Sequence, residues 1–189
     1  MRLGVFGGTF DPPHIGHLIV ASDVCAALDL DRVVFVPSAT PPHKRGRVHA
    51  SAEQRFEMVR AAVAADPRFA VDDLELRREG ESYSVDTLRE LRASEPDADL
   101  FFIIGADQLR EFDRWHQPEE VARLATLVVM SRAGDEADGE VSLPVRRVAV
   151  TRIDLSATRI RERIGRKASI RYLVPDVVRE IIEREKLYE

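Results

Sequence analysis

The chain has 189 residues, 44% hydrophobic and 32% charged, with a formal net charge of −5 at pH 7. That size is expected to form a single domain, residues 1–189, burying roughly 70% of its unfolded surface. Its one cysteine, Cys25, excludes a disulfide framework and a multi-cysteine metal site, the acidic balance argues against a nucleic-acid binder, and no apolar run approaches the ~20 residues of a membrane span.

Read in chain order, residues 2–6 (RLGVF) open as a buried strand. They lack the basic region and apolar stretch of a signal peptide, so a cytoplasmic protein is expected. Further apolar runs of strand length fall at 32–37, 69–76, 100–105, 126–131 and 146–153. Helical spacing occupies 15–28, 51–65, 84–94, 107–112 with 118–124, 156–165 and 175–187. Strands that are apolar throughout and alternate with helices imply a doubly wound parallel α/β sheet, here with a small C-terminal helical part. Loop 38–50 (SATPPHKRGRVHA) is long for its place, whereas 133–142 is small and acidic and reads as exposed.

In such a sheet, ligands gather at the carboxyl ends of the strands. Gly7, Gly8, Thr9 and Phe10 follow the first strand, and Pro37 through Lys44 follow the second. Gly105 and Asp107 follow the fourth, Arg132 ends the fifth, and Leu155, Ser156 and Thr158 follow the last. Basic residues also cluster at Lys44-Arg45-Gly46-Arg47 and at 159–166, which in an acidic chain suits a small anionic ligand. The run 159–171 fits either a solvated face or a subunit contact, so a homo-oligomer stays open.

The stretch 7–18, GGTFDPPHIGHL, carries the sharpest signal. Glycines after a strand let a ligand approach the backbone. A helix starting near Pro13 would put His14, Gly16 and His17 in its first turn, where unpaired amides and the dipole favour an anion. Positions three apart share a face, so both imidazoles would meet one bound group, and a polyphosphate fits. Two histidines on one face could also hold zinc, but the sequence offers no third ligand. A dinucleotide site fails: Gly4, Gly7 and Gly8 do not make G-x-G-x-x-G, and the second strand ends Val36-Pro37-Ser38 without an acidic residue for a ribose.

These residues resemble the H-x-G-H signature of the nucleotidyltransferase superfamily. Leu155-Ser-Ala-Thr-Arg-Ile-Arg161 resembles its second signature, I-S-S-T-x-I-R, with Ala157 in place of one serine. Pro37-Ser-Ala-Thr-Pro-Pro-His43-Lys44, Arg55 with Met58, Glu75, Arg78, Ser82-Tyr83-Ser84, Asp86-Thr87-Leu88, Gly105-Ala-Asp107 and Trp115-His116 are similar to the nicotinate-nucleotide adenylyltransferase family. The resemblance implies a Rossmann-like nucleotidyltransferase fold and adenylyl transfer from ATP to nicotinate mononucleotide, with Mg²⁺ carried mainly by the ATP phosphates. It implies that His14, His17, Lys44 and Arg161 carry the chemistry, with Arg159 beside them. Backbone around Gly7 to Phe10, Gly16 and Leu155 to Thr158 would hold ATP. Thr9, Tyr83, Ser84, Gly105, Asp107, Trp115 and Arg132, with Lys44, would hold the acceptor. Cys25 reads as packing, and Ser51, Glu53, Arg55 and Glu75 as scaffold. A helix N-terminus disfavours an imidazolium and a bound phosphate favours it, so the sequence leaves the histidines' protonation open. Transfer to another phosphorylated acceptor, or a nucleotide-binding module without turnover, are the alternative readings.

Overall fold

In the computed structural model, residues 1–41, 48–132 and 144–189 are described. Six strands form one sheet in the order β3-β2-β1-β4-β5-β6. They are β1 (Arg2–Gly8), β2 (Arg32–Pro37), β3 (Phe69–Val71), β4 (Asp99–Gly105), β5 (Thr126–Arg132) and β6 (Val145–Val150). Every ladder is parallel, and β1 lies in the middle, with Val5 paired to both Val34 and Phe102. The strand order reverses at β1 and β4, and the crevice beyond their carboxyl ends is where this topology places ligands.

Helices cover both faces, as the unbroken apolar strands require. On one side Leu3, Val5, Leu100 and Phe102 pack against α4 (Ser84–Ser94), α5 (Ala106–Arg110) and α6 (Pro118–Leu124). On the other, Phe6, Phe35 and Ile103 pack against α1 (Ile15–Ala27) and α2 (Ala52–Val63). Cys25 is buried in that second cluster, its thiol donating to the Leu30 carbonyl, in keeping with a packing residue. A third cluster joins Met58 of α2 to α7 (Ala157–Gly165) and α8 (Asp176–Glu185), the expected C-terminal helical part.

Two expected strands end early. The run 69–76 stays extended only to Val71, because the Asp72 carboxylate accepts from the Leu74 amide (2.9 Å) and turns the chain into a short helix, α3 (Leu74–Arg77). The run 146–153 leaves the sheet after Val150, where the Thr151 amide donates to Asp23 of α1 (2.6 Å) instead of to a neighbouring strand. Among the described residues no helix is long and apolar enough to cross a membrane.

Candidate active site

The loop from β1 to α1 turns sharply at Phe10, whose φ is +48°. Its ring is 3% exposed and packs edge-on to Phe6. A Cβ on Gly8 would lie 2.8 Å from that ring, so the glycine makes room for an aromatic that closes the core beneath the loop. Phe10 therefore presents backbone, not side chain, to the crevice.

His14 caps α1, and its ring stacks on His17 with centroids 3.7 Å apart and planes at 23°. A Cβ on Gly16 would come within 3.0 Å of His14 Nδ1, so any other residue there would press the first imidazole aside by a few tenths of an ångström. The two rings differ in hydrogen bonding. The His14 amide donates to His17 Nδ1 (3.1 Å), which makes that nitrogen an acceptor and leaves the proton of the neutral ring on Nε2. His14 is 7% exposed and its Nδ1 lacks a partner among the described residues. Burial pushes its pKa down to about 4, so the imidazole is neutral near pH 7.

The helix N-terminus is less open than the sequence suggests. The His14 amide is taken by His17, the Ile15 amide donates to the Leu173 carbonyl (3.1 Å), and the His17 amide donates to the His14 carbonyl (2.9 Å). An anion arriving at α1 meets ring nitrogens more than amides.

The second signature folds back onto the first. Ile153 lies by Gly16, and Ser156 caps α7 by accepting from the Arg159 amide (3.3 Å). Arg161 Nη1 donates to the Asp11 carbonyl (2.6 Å), and its Nη2 donates to Thr158 (3.2 Å). Arg159 turns the other way, paired with Asp154 at 3.2 Å and well exposed. Leu155 packs beside the third core cluster.

Around the crevice, Gly105 ends β4 and starts α5, its amide donating to Gln108 Oε1 (2.9 Å). The Asp107 carboxylate folds so closely over Gly105 that a Cβ there would be 2.5 Å from it. Tyr83 and Ser84 start α4. The Tyr83 ring lies over His116, with centroids 4.4 Å apart, and its hydroxyl donates to the Glu81 carboxylate. Trp115 is half-buried, tilted on Phe112 (5.3 Å) and edge-on to Phe102 of β4 (6.2 Å). Lys44 lies outside the described residues, and for Arg132 only the backbone pairing at the end of β5 is described.

Buried polar residues, three of them given no chemical role in the sequence reading, hold these loops together. Arg55, 1% exposed, donates to the carbonyls of Thr9 (2.8 Å), Ser38 (2.6 Å), Ala39 (3.2 Å) and Ala50 (3.2 Å). Asp11, 4% exposed, accepts from the amides of His49 (2.8 Å) and Ala50 (3.1 Å) and from the Tyr188 hydroxyl (2.8 Å). Glu75 accepts from Thr87 of α4 (2.5 Å), and burial raises its pKa. Asp11 lies inside the 7–18 motif without being assigned a role there, and no periodicity or motif marks Tyr188.

A doubly wound sheet with histidines and an arginine at its switch point defines a nucleotide-handling enzyme class. The family model described as Cytidylyltransferase-like matches residues 5–163, and the chain belongs to that family and, within it, to the nicotinate-nucleotide adenylyltransferases. A protein named "Probable nicotinate-nucleotide adenylyltransferase" in Thermus thermophilus is 49% identical over 100% of both chains. The protein of that name in Geobacillus thermodenitrificans is 45% identical over 99% of this chain and 86% of its own. Plasmodium falciparum nicotinic acid mononucleotide adenylyltransferase, solved complexed with NaAD, superposes with a TM-score of 0.81 at 15% identity, covering 99% of this chain and 97% of its own. Its complex with APC gives 0.78 at 14%, covering 99% and 96%. At that identity the two structures speak to the fold.

Proposed function

We propose that the protein transfers the adenylyl group of ATP to nicotinate mononucleotide, releasing pyrophosphate and forming nicotinate adenine dinucleotide in NAD biosynthesis. The observation that carries this reading is Arg161 resting on the Asp11 carbonyl, which brings a cation from residue 161 to the loop leading into two stacked imidazoles.

The mononucleotide phosphate, mostly dianionic at pH 7 with a second pKa of about 6, attacks the α-phosphorus in line. A bond forms from its oxygen to that phosphorus while the bond to the bridging oxygen breaks, and pyrophosphate leaves. No general base or protein nucleophile is required; the protein's task is alignment and charge neutralisation. His17 donates from Nε2 and His14 acts as a neutral imidazole on the ATP phosphates. Arg161, with Lys44 and more distantly Arg159, neutralises the leaving pyrophosphate. Backbone at Gly7 to Phe10, Gly16 and Leu155 to Thr158 lines the ATP side. Tyr83, Ser84, Gly105, Asp107, Trp115 and Arg132 form the acceptor side, with Thr9 between the two.

Magnesium carried in on the ATP phosphates would add charge neutralisation on the leaving group, with no protein ligand assigned to it. The donor set fits delivery on the nucleotide: among the described residues no three His, Cys, Asp or Glu gather, and Asp11 is engaged by two amides and a hydroxyl. The same reading places the protein in the cytoplasm, with nucleotides rather than nucleic acid or membrane as partners.

Pyrophosphate release from ATP, measured with nicotinate mononucleotide, nicotinamide mononucleotide and phosphopantetheine in parallel, tests the assignment. The nicotinate compound is expected to give the highest kcat/KM. Faster turnover of another acceptor would reassign the substrate, and silence with all three would leave a binding module.

A further inference from the structure

Asp11 is where four distant segments meet. Its carboxylate takes the His49 and Ala50 amides, at the point where the chain enters α2, and the hydroxyl of Tyr188, the penultimate residue. Its carbonyl takes Arg161 from α7. The Tyr188 ring packs against the third core cluster and lies edge-on to His49 at 6.4 Å. Its backbone is in the left-handed region, φ +67°, as is Lys186 at the end of α8 (φ +52°), so two uncommon turns bring the tail to this place. Burial, with the neighbouring Asp11 charge, pushes the phenol pKa up, so the hydroxyl stays a donor at every working pH.

We propose that Tyr188 is a positioning residue for the ATP half of the reaction: its bond to Asp11 fixes the loop on which Arg161 rests and from which the paired imidazoles project. The inference depends on the adenylyl-transfer reading above. The two histidines and the aromatic acceptor groups stand on different elements, with Thr9 alone among the acceptor residues on the loop that carries Asp11. The groups assigned to ATP phosphates hang on the loop that Asp11 organises. The aromatic groups assigned to the acceptor stand on the far side, at the start of α4 and beside the turn at 112–114.

Tyr188→Phe removes only the hydroxyl and keeps the ring, so the variant retains its packing, and a far-UV melt identifies a temperature at which both proteins are folded. At that temperature kcat/KM for ATP is expected to fall about ten- to a hundredfold, the scale of a small misalignment of reacting groups. KM for nicotinate mononucleotide at saturating ATP is expected to stay within about twofold. In a double-mutant cycle with Arg161→Lys, the second substitution should cost less when Tyr188→Phe is already present than in the wild type. Unchanged ATP kinetics, equal losses for both substrates, or full additivity with Arg161→Lys would each overturn the assignment of Tyr188. Wild-type enzyme inactive with every acceptor would instead overturn the adenylyl-transfer reading, and this inference with it.

Discussion

His14 and His17 share a side chain and differ in surroundings: His17 Nδ1 accepts the His14 amide, whereas His14 Nδ1 lacks a partner among the described residues. His14 is buried, and its pKa falls from 6.5 to about 4, whereas in the unfolded chain it titrates near its ordinary value. Between those two values the unfolded chain binds more protons. The contribution to stability is therefore present above about pH 6.5 and is lost as pH falls toward 4. A depression of that size corresponds to on the order of 3 kcal/mol. Urea midpoints at acidic and neutral pH should diverge more for the wild type than for His14→Asn, and equal divergence would contradict the burial argument. For His17, substitution by Ala should remove a phosphate donor and cost about 10²–10³ in kcat, with the far-UV spectrum unchanged. A pyrophosphate-release assay reads the loss, and near-normal turnover would take His17 out of the mechanism. The pairing of the two rings was expected from three-residue spacing on a helix starting near Pro13. Instead α1 starts at Ile15 and His14 is its extended N-cap, so the rings meet as N-cap and third helical residue, not on one helix face. Their protonation was not legible in the sequence, because it depends on a backbone amide and on packing that spacing does not encode.

At the scale of elements, the glycine between the histidines is a steric requirement imposed by the helix. Glycine in a helix is disfavoured by about 1 kcal/mol relative to alanine, yet here a methyl would strike the His14 ring at 3.0–3.1 Å. Gly16→Ala should therefore leave the melting temperature almost unchanged while kcat/KM falls by at least about tenfold through displacement of the imidazole. A variant with full activity would show that the ring pair need not be flat. Most elements could be read directly: fully buried parallel strands give unbroken apolar runs, and Ser51 and Ser156 mark helix starts by capping. The misjudged ends have local causes. Asp72 forms a side-chain turn that apolar counting overlooks, and Asp23 reaches from another element to take the Thr151 amide. Of the open amides expected at α1, that of Ile15 is taken by Leu173, a partner far along the chain, while those of His14 and His17 are taken within the histidine pair.

For the whole molecule, the parallel sheet is continuous, one face is covered by α4, α5 and α6 and the other by α1 and α2, and α7 and α8 pack onto α2. We propose that it unfolds as one unit. Trp115, the only tryptophan, sits on the cluster at one face, while far-UV dichroism reports on every helix. Urea transitions followed by the two probes should coincide, and separate midpoints would reveal independent parts. Arg55 contributes to that unity by tying four carbonyls from two loops, β1–α1 and β2–α2, with a single guanidinium. Its motif position was visible in the sequence, but its purpose needed coordinates, since the carbonyls it serves come from turns of no regular pattern.

The central place of β1 also governs the protein's birth on the ribosome. The first strand made has one neighbour about thirty residues behind it, but its other edge waits for Asp99–Gly105, and until those residues are synthesised that edge is bare to other chains. The groups that tie down the β1–α1 loop come later still: Arg161, then Leu173, then Tyr188. A nascent polypeptide arrested at about residue 150 should thus hold ATP no better than a scrambled control, and should be more protease-sensitive than the released protein.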